Sequence, residues 1–318
     1  MQKIVFGGTD LKVSPLGLGT AQYGTGVEER EAFWQLDRYA EAGNLIDTAH
    51  VYGDWVPGER FRSESVIGRW LKRTGKRETV VISTKCSHPP LNDMTASRLK
   101  RAEILKDVDE SLTALGTDYI DILFLHRDDV SLPAEEILST LEHLCMEGKI
   151  RYYGCSNWTL DRIMQADAAA RKCGFRGFVC NQLMWSLARV NYGNVGDKTL
   201  VPMDKATYDY HAASGLAAMG YNALANGFFS KKSRGDVLRP GVSAKYDMPE
   251  NAKTLEKLTE FSREYGLDIT ELCILYFAAQ PFPAVPLVSF SSRAQMEEAL
   301  GALKLEPPGE LLKQLAAL

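Results

Sequence analysis

The sequence lacks the marks of several large protein classes. No C-x-x-C pair occurs among its six cysteines, Cys86, Cys145, Cys155, Cys173, Cys180 and Cys273. Several lie inside apolar runs and read as reduced core residues, not as a disulfide frame. The five histidines, His50, His88, His126, His143 and His211, show neither H-E-x-x-H nor a Cys/His ligand spacing, so no metal is expected. Positive charge is not in excess: 37 Lys+Arg against 41 Asp+Glu leaves a net charge of −4. That balance is unsuited to neutralising nucleic acid or an anionic membrane. No apolar stretch reaches the roughly 18 residues of a membrane span, and the N-terminal segment MQKIVFGGTDLKVSPLG turns polar too early for a signal peptide. The expectation is a cytoplasmic protein with neither membrane nor nucleic acid as partner. No internal repeat or low-complexity tract is present.

What is there is ordinary in composition and regular in pattern. The 318 residues are 45% hydrophobic and 25% charged, values of a folded globular chain. A hairpin is expected from Ile4–Phe6 and Leu11–Val13 around Gly7-Gly8-Thr9-Asp10. Eight short apolar runs follow, at Leu16–Thr20, Asn44–Ala49, Val80–Lys85, Ile120–His126, Ile150–Ser156, Phe178–Gln182, Leu216–Asn222 and Ala284–Phe290. Helical patterns alternate with them near residues 29–43, 61–73, 97–115, 133–148, 159–173, 203–214, 251–266 and 292–303, with Gly43, Gly116 and Gly148 as stops and Pro133 in a first turn.

Strict alternation implies parallel strands covered by helices. Eight units in this length predict an α/β protein of the (β/α)8 TIM-barrel type, one domain over residues 1–318. A doubly wound sheet would carry a complete phosphate-binding glycine fingerprint after its first strand, of which Leu16-Gly-Leu-Gly-Thr20 is only a fragment. The stretch from Phe229 to Lys253 reads as an enlarged loop, and the segment from Asp268 to Gln280 as an extra helix.

Barrel strands open their C-terminal ends onto the active face, and polar residues end run after run. Asp47, Lys85, His126, Ser156-Asn157, Asn181-Gln182 and Asn222 close the second to seventh units. A lysine after a run of apolar or small strand residues is desolvated and needs an anionic partner; Asp47 on the neighbouring strand supplies one. Tyr52 follows in the loop after Asp47. A free tyrosine ionises near pH 10, and an ammonium beside it shifts that value toward neutrality, as proton transfer requires.

These motifs, Gly17-Leu-Gly-Thr20, Ile46-Asp-Thr-Ala-His-Val-Tyr-Gly53, Ser83-Thr-Lys85, Leu123-Phe-Leu-His126, Gly154-Cys-Ser-Asn157 and Asn181-Gln182, give a chain that resembles the aldo-keto reductases over nearly its whole length. The resemblance implies an NADP(H)-dependent reduction of an aldehyde or ketone, with a sugar or keto sugar among the candidates. Tyr52 would be the acid, assisted by Lys85 and Asp47, with His126 orienting the carbonyl. It also implies dinucleotide contacts from Thr20, Ser156, Asn157, Gln182, Tyr221, Asn222, Leu224, Gly227, Phe228, Ser289, Ser291, Arg293, Gln295 and Glu298.

The match has departures. Asn222-Ala223 stands where the family usually has Ser-Pro, Val288-Ser289 lacks an expected Gly or Lys, and Ala299 replaces an asparagine. Arg293 favours NADP(H) on the strength of Arg as a phosphate ligand, with NAD(H) remaining open. Tyr23, Trp55, His88, Trp158 and Trp185 are expected to line the substrate pocket. Two further readings stay open: a dinucleotide-retaining, redox-sensing regulatory subunit with little turnover, and a barrel aldolase using Lys85 as a Schiff base. Nothing in the sequence fixes the oligomeric state.

Overall fold

The computed structural model describes residues 1–318. Strands β1 (Ile4–Val5) and β2 (Lys12–Val13) form the expected antiparallel hairpin, with Ile4 opposite Val13. Eight strands then follow: β3 (Gly17–Gly19), β4 (Leu45–Asp47), β5 (Val81–Cys86), β6 (Ile120–Leu125), β7 (Ile150–Ser156), β8 (Cys180–Met184), β9 (Ala217–Tyr221) and β10 (Ala284–Val288). Each pairs in parallel with the next, and β10 returns to β3, closing a (β/α)8 barrel.

Helices α1 (Glu29–Tyr39), α2 (Arg62–Thr74), α3 (Arg101–Leu115), α4 (Ala134–Met146), α5 (Leu160–Cys173) and α6 (Lys205–Ser214) fill the connections where periodicity placed them. Gly116 ends α3 in a left-handed conformation, which only glycine adopts without a Cβ penalty. Gly43 differs from its expected role: α1 stops at Tyr39, and Gly43 lies against the Tyr39 ring. Pro133 sits at the N-cap of α4, one residue ahead of the helix.

The C-terminal third departs more. Residues 229–253 are not a loop: they hold most of α7 (Phe228–Arg234), all of α8 (Pro240–Tyr246) and the start of α9 (Pro249–Tyr265). Helices of seven residues are too short to show a period. They are held by a satellite core of Phe228, Phe229, Val242, Tyr246, Leu258 and Phe261. The helix covering the barrel before β10 is α10 (Ile269–Ala278), the segment expected to be surplus, and α9 is the added outer helix. Apolar residues surround α10 because Ile274 and Phe277 face the barrel core while Leu272 and Leu275 face the satellite core. After α11 (Arg293–Ala302), a further helix α12 (Gly309–Ala316) packs Leu311 and Leu315 into that satellite core.

The hairpin closes the N-terminal end of the barrel. Phe6, Leu11 and Val13 are buried against Leu45, Val81, Ile122, Val179, Ala217, Val285 and Leu287, which line the barrel interior. Each such side chain contributes about 1.5–3 kcal/mol of burial. Access from solvent is left to the opposite end, where the polar strand termini gather.

Candidate active site

Lys85 is an inward-facing residue of β5, next to β4, whose last residue is Asp47. Its Nζ donates to Asp47 Oδ2 at 2.7 Å, to the Thr48 carbonyl at 2.8 Å and to Tyr52 Oη at 3.1 Å. These partners engage all three ammonium protons. Asp47 Oδ1 accepts from Ser83 Oγ at 2.8 Å and Gln182 Nε2 at 2.9 Å. A buried ion pair repays its desolvation only when the remaining valences are satisfied in this way. Burial opposes the charge on Lys85, but the Asp47 carboxylate and Tyr52 outweigh it and hold the ammonium above its ordinary value. Because Tyr52 Oη accepts from Lys85, its own hydroxyl hydrogen is free to be donated elsewhere.

His126, the residue after β6, packs its ring 6.0 Å from the Tyr52 ring and 4.6 Å from that of His88. Burial, then the neighbouring His88, Lys85 and Arg127, drive its ionisation well below the usual imidazole range. His88 is likewise pushed down to about 4, chiefly by burial. Both rings are neutral at neutral pH. His126 Nδ1 is buried without a partner, and a neutral imidazole carries one N–H for a ligand.

Of the expected pocket residues, Trp55 stands edge-on 6.2 Å from Tyr52 and is 43% exposed, and His88 packs on His126. Trp158 and Trp185 do not join them. Trp158 is 1% exposed, packs on Phe178 and donates Nε1 to the Arg127 carbonyl at 3.2 Å. Trp185 lies in the core against Phe277 and Phe282. Tyr23 is buried beside a neighbouring cleft, with its hydroxyl on Gln35.

That cleft has a volume of about 870 Å³ and runs from the ends of β3, β9 and β10 to helices α1, α7 and α11. Asn222, Leu224, Gly227, Ser289, Ser291, Gln295 and Glu298 line it. Ser156, Asn157, Gln182 and Tyr221 do not line this cleft; Asn157 sits among the strand ends beside His126. Asn157 Nδ2 donates to the His126 carbonyl at 3.4 Å and to Ser156 Oγ at 3.0 Å, and Asn157 Oδ1 accepts from Tyr221 Oη at 2.5 Å. Asn157 and Asn222 carry positive φ directly after β7 and β9, as does Ser87 after β5. Such strain concentrates at functional mouths.

Three more expected cofactor residues, Thr20, Phe228 and Arg293, also lie off the cleft. Thr20 is fully buried, its Oγ1 donating to the Asp47 carbonyl at 2.8 Å. Phe228 lies in the satellite core. Arg293 is bound to Glu31, Nη2 to Oε2 at 2.8 Å, and does not line the cleft.

A second polar group behind β5 escaped the sequence reading. Asp107 on α3 is held by the Arg98 guanidinium and accepts the Ser87 N–H at 2.8 Å, while His50 Nε2 lies 2.9 Å from Glu110 Oε2. His50, Asp107 and Glu110 bring ligand-type atoms within 4.8 Å of one another, and Arg98 supplies the cation at Asp107. The signal was present: Asp107 and Ser111 fall on the buried stripe of Ile104, Val108 and Leu115.

Glu64, at the start of α2, accepts from Thr84 Oγ1 at 2.6 Å and leaves Oε2 without a partner. Burial, with the Asp107 and Asp54 charges adding to it, pushes its carboxyl up from 4.5 to about 7. Between those values the folded state keeps a proton that the unfolded chain has released. Stability therefore falls as pH rises through that window and then levels. Glu64→Gln removes the effect, so its melting temperature relative to the parent protein is expected to rise between about pH 5 and about pH 8, by the equivalent of a few kcal/mol at most. An offset that stays constant with pH would show that Glu64 does not titrate there.

Fold and site together define a (β/α)8-barrel protein whose reactive side chains gather at the C-terminal ends of its strands, the arrangement of barrel enzymes. A sequence model of the aldo/keto reductase family matches residues 15–318, and the chain belongs to that family. It is 28% identical to the uncharacterised oxidoreductase YrpG of Bacillus subtilis over 99% of this chain and 95% of that one. It is also 28% identical to the norsolorinic acid reductase stcV of Emericella nidulans, over 96% of this chain and 78% of the other. Among solved structures, the thermostable aldo-keto reductase Tm1743, in complex with the inhibitor epalrestat, superposes with a TM-score of 0.72 at 22% identity. That likeness covers 100% of this chain and 99% of the other and bears on the fold.

Proposed function

We propose that this protein reduces an aldehyde or ketone to the alcohol, using NADP(H) in preference to NAD(H), with Tyr52 as general acid. The observation that carries the reading is Lys85 Nζ within 3.1 Å of both Asp47 and Tyr52 at the open end of the barrel. A nicotinamide dinucleotide, held in the adjoining cleft, would supply the hydride. The cleft fits such a group: Asn222, Ser289, Ser291 and Gln295 set hydrogen-bonding groups along its walls. Lys231, Arg234 and Arg239 line its outer part, where phosphates need cations.

The protein's own residues divide the remaining work. Neutral His126 donates a hydrogen bond to the carbonyl oxygen, so that charge building there meets a donor already in place. Tyr52 then gives up its hydroxyl proton, and Lys85 steadies the phenolic oxygen left behind. Asp47 keeps Lys85 charged and aimed. Trp55 and His88 border the opening with an aromatic face and a polar ring, suited to a carbonyl carried on a sugar. Lys85 has no uncommitted amine, which weighs against a Schiff-base aldolase. The cytoplasmic placement belongs to the same reading.

The test is a fluorescence titration with NADPH and NADH, followed by NADPH consumption against a panel of aldehydes, ketones and keto sugars. Saturable binding and turnover of at least one carbonyl are expected. Binding with no turnover across the panel would overturn the catalytic reading.

A further inference from the structure

The outer end of the cleft carries a contact that bears on which dinucleotide it takes. Arg293, the first residue of α11, is the cation the sequence offers for an adenosine 2′-phosphate, yet its guanidinium is already committed. Its Nε lies 3.2 and 3.0 Å from the two carboxylate oxygens of Glu31, and its Nη2 lies 2.8 Å from Oε2. Its Cζ lies 4.2 Å above the Trp34 ring. The planar fork is thus matched on its edge by a carboxylate and on its face by an indole, the two contacts that best fix an arginine. Glu31 and Trp34 both come from α1, and Arg38 of the same helix grips Glu297 of α11 at 2.6 and 2.7 Å. The two helices are clamped together here.

The consequence is an exchange of roles at the cleft wall. Glu31 lines the cleft beside Ser289, Ser291 and Gln295, and Arg293 does not. A ribose 2′-hydroxyl at that wall meets a group that accepts hydrogen bonds. A 2′-phosphate meets a carboxylate of like charge and recovers Arg293 only by displacing it. Across the cleft, Arg239 is exposed and makes no side-chain ion pair or hydrogen bond, whereas Lys231 and Arg234 are turned to the Asn226 carbonyl and Asp236.

We propose that Glu31 determines the dinucleotide preference by holding Arg293 away from the adenosine 2′ position, so that the advantage of NADPH over NADH is kept small. The proposal rests on the reading of this cleft as the dinucleotide site. Glu31→Gln keeps the side-chain shape and removes the charge, freeing the guanidinium for phosphate.

Dissociation constants for NADPH and NADH, measured by fluorescence quenching at low salt, provide the test. The proteins compared are the parent, Glu31→Gln, Arg293→Met and the double variant. Glu31→Gln is expected to tighten NADPH by about five- to tenfold, the scale of one charge-assisted contact at an exposed site, and to change NADH by about twofold or less. The gain should vanish in the double variant and shrink as salt is raised. Equal changes for both dinucleotides, no change for either, or a gain that survives in the double variant would each overturn the proposal. If the parent protein binds neither dinucleotide, the reading of the cleft itself fails and the proposal falls with it.

Discussion

Tyr52→Phe is expected to lower carbonyl turnover by about two to four orders of magnitude, the scale of a positioned general acid, while the dissociation constant for NADPH stays near that of the parent protein. The substitution deletes one oxygen and keeps the ring. The ring's edge contact with Trp55 and its position 4.7 Å from Lys85 Nζ are compatible with phenylalanine, so the mouth keeps its shape. What is lost is the donor whose proton the 3.1 Å contact from Lys85 leaves available. Steady-state NADPH oxidation on a carbonyl established with the parent enzyme measures the first quantity, and fluorescence titration the second. Normal turnover in this variant would remove Tyr52 from the chemistry.

Lys85→Met is expected to act on two properties at once. Turnover falls at least as far as in Tyr52→Phe, since the group that would steady the phenolic oxygen is gone. Stability also falls, by about 3–5 kcal/mol, because the Asp47 carboxylate stays buried without its counter-charge. Ser83 and Gln182 still donate to it, but two neutral donors do not replace an ammonium. The two losses separate in the double variant Asp47→Asn, Lys85→Met. Replacing a buried ion pair with neutral groups of similar volume is often close to neutral for stability, so the double variant should recover most of the folding free energy and none of the turnover. Urea unfolding of the parent protein and the two variants, beside activity assays, gives the comparison. A double variant no more stable than Lys85→Met would mean that the pair's role in the fold is not electrostatic.

The parts of this molecule legible in the sequence are those fixed by local pattern. Period and punctuation placed the eight strands and α1 to α6 because each element buries one face against its neighbours, and that face recurs along the chain. Asp47, Lys85 and His126 were visible because a charged or polar residue ending an apolar run has few structural uses. Where a residue's role depends on a distant partner, the sequence was silent. Arg293 read as a free cation at a helix start, and only the position of Glu31, 262 residues away, commits it elsewhere. Trp158 and Trp185 read as pocket walls because an aromatic beside a strand end serves a rim or a core equally well. The exchange of α9 and α10 has the same origin. Both are helix candidates of suitable length, α9 amphipathic and α10 apolar on all sides, and the choice turns on a satellite core assembled from α7, α8, α9 and α12, which no local window contains.

The hairpin that closes the N-terminal end bears on more than stability. With Phe6, Leu11 and Val13 packed beneath the barrel, the medium below and around Lys85 and Asp47 is poorly polarisable, and water approaches from one side only. Field lines from a charge in such a vessel leave by the open end, where the dielectric is highest. The hairpin thus works as an electrical backing. It directs the influence of the ion pair outward, toward Tyr52 and His126 at the mouth, and keeps it from dissipating through the floor.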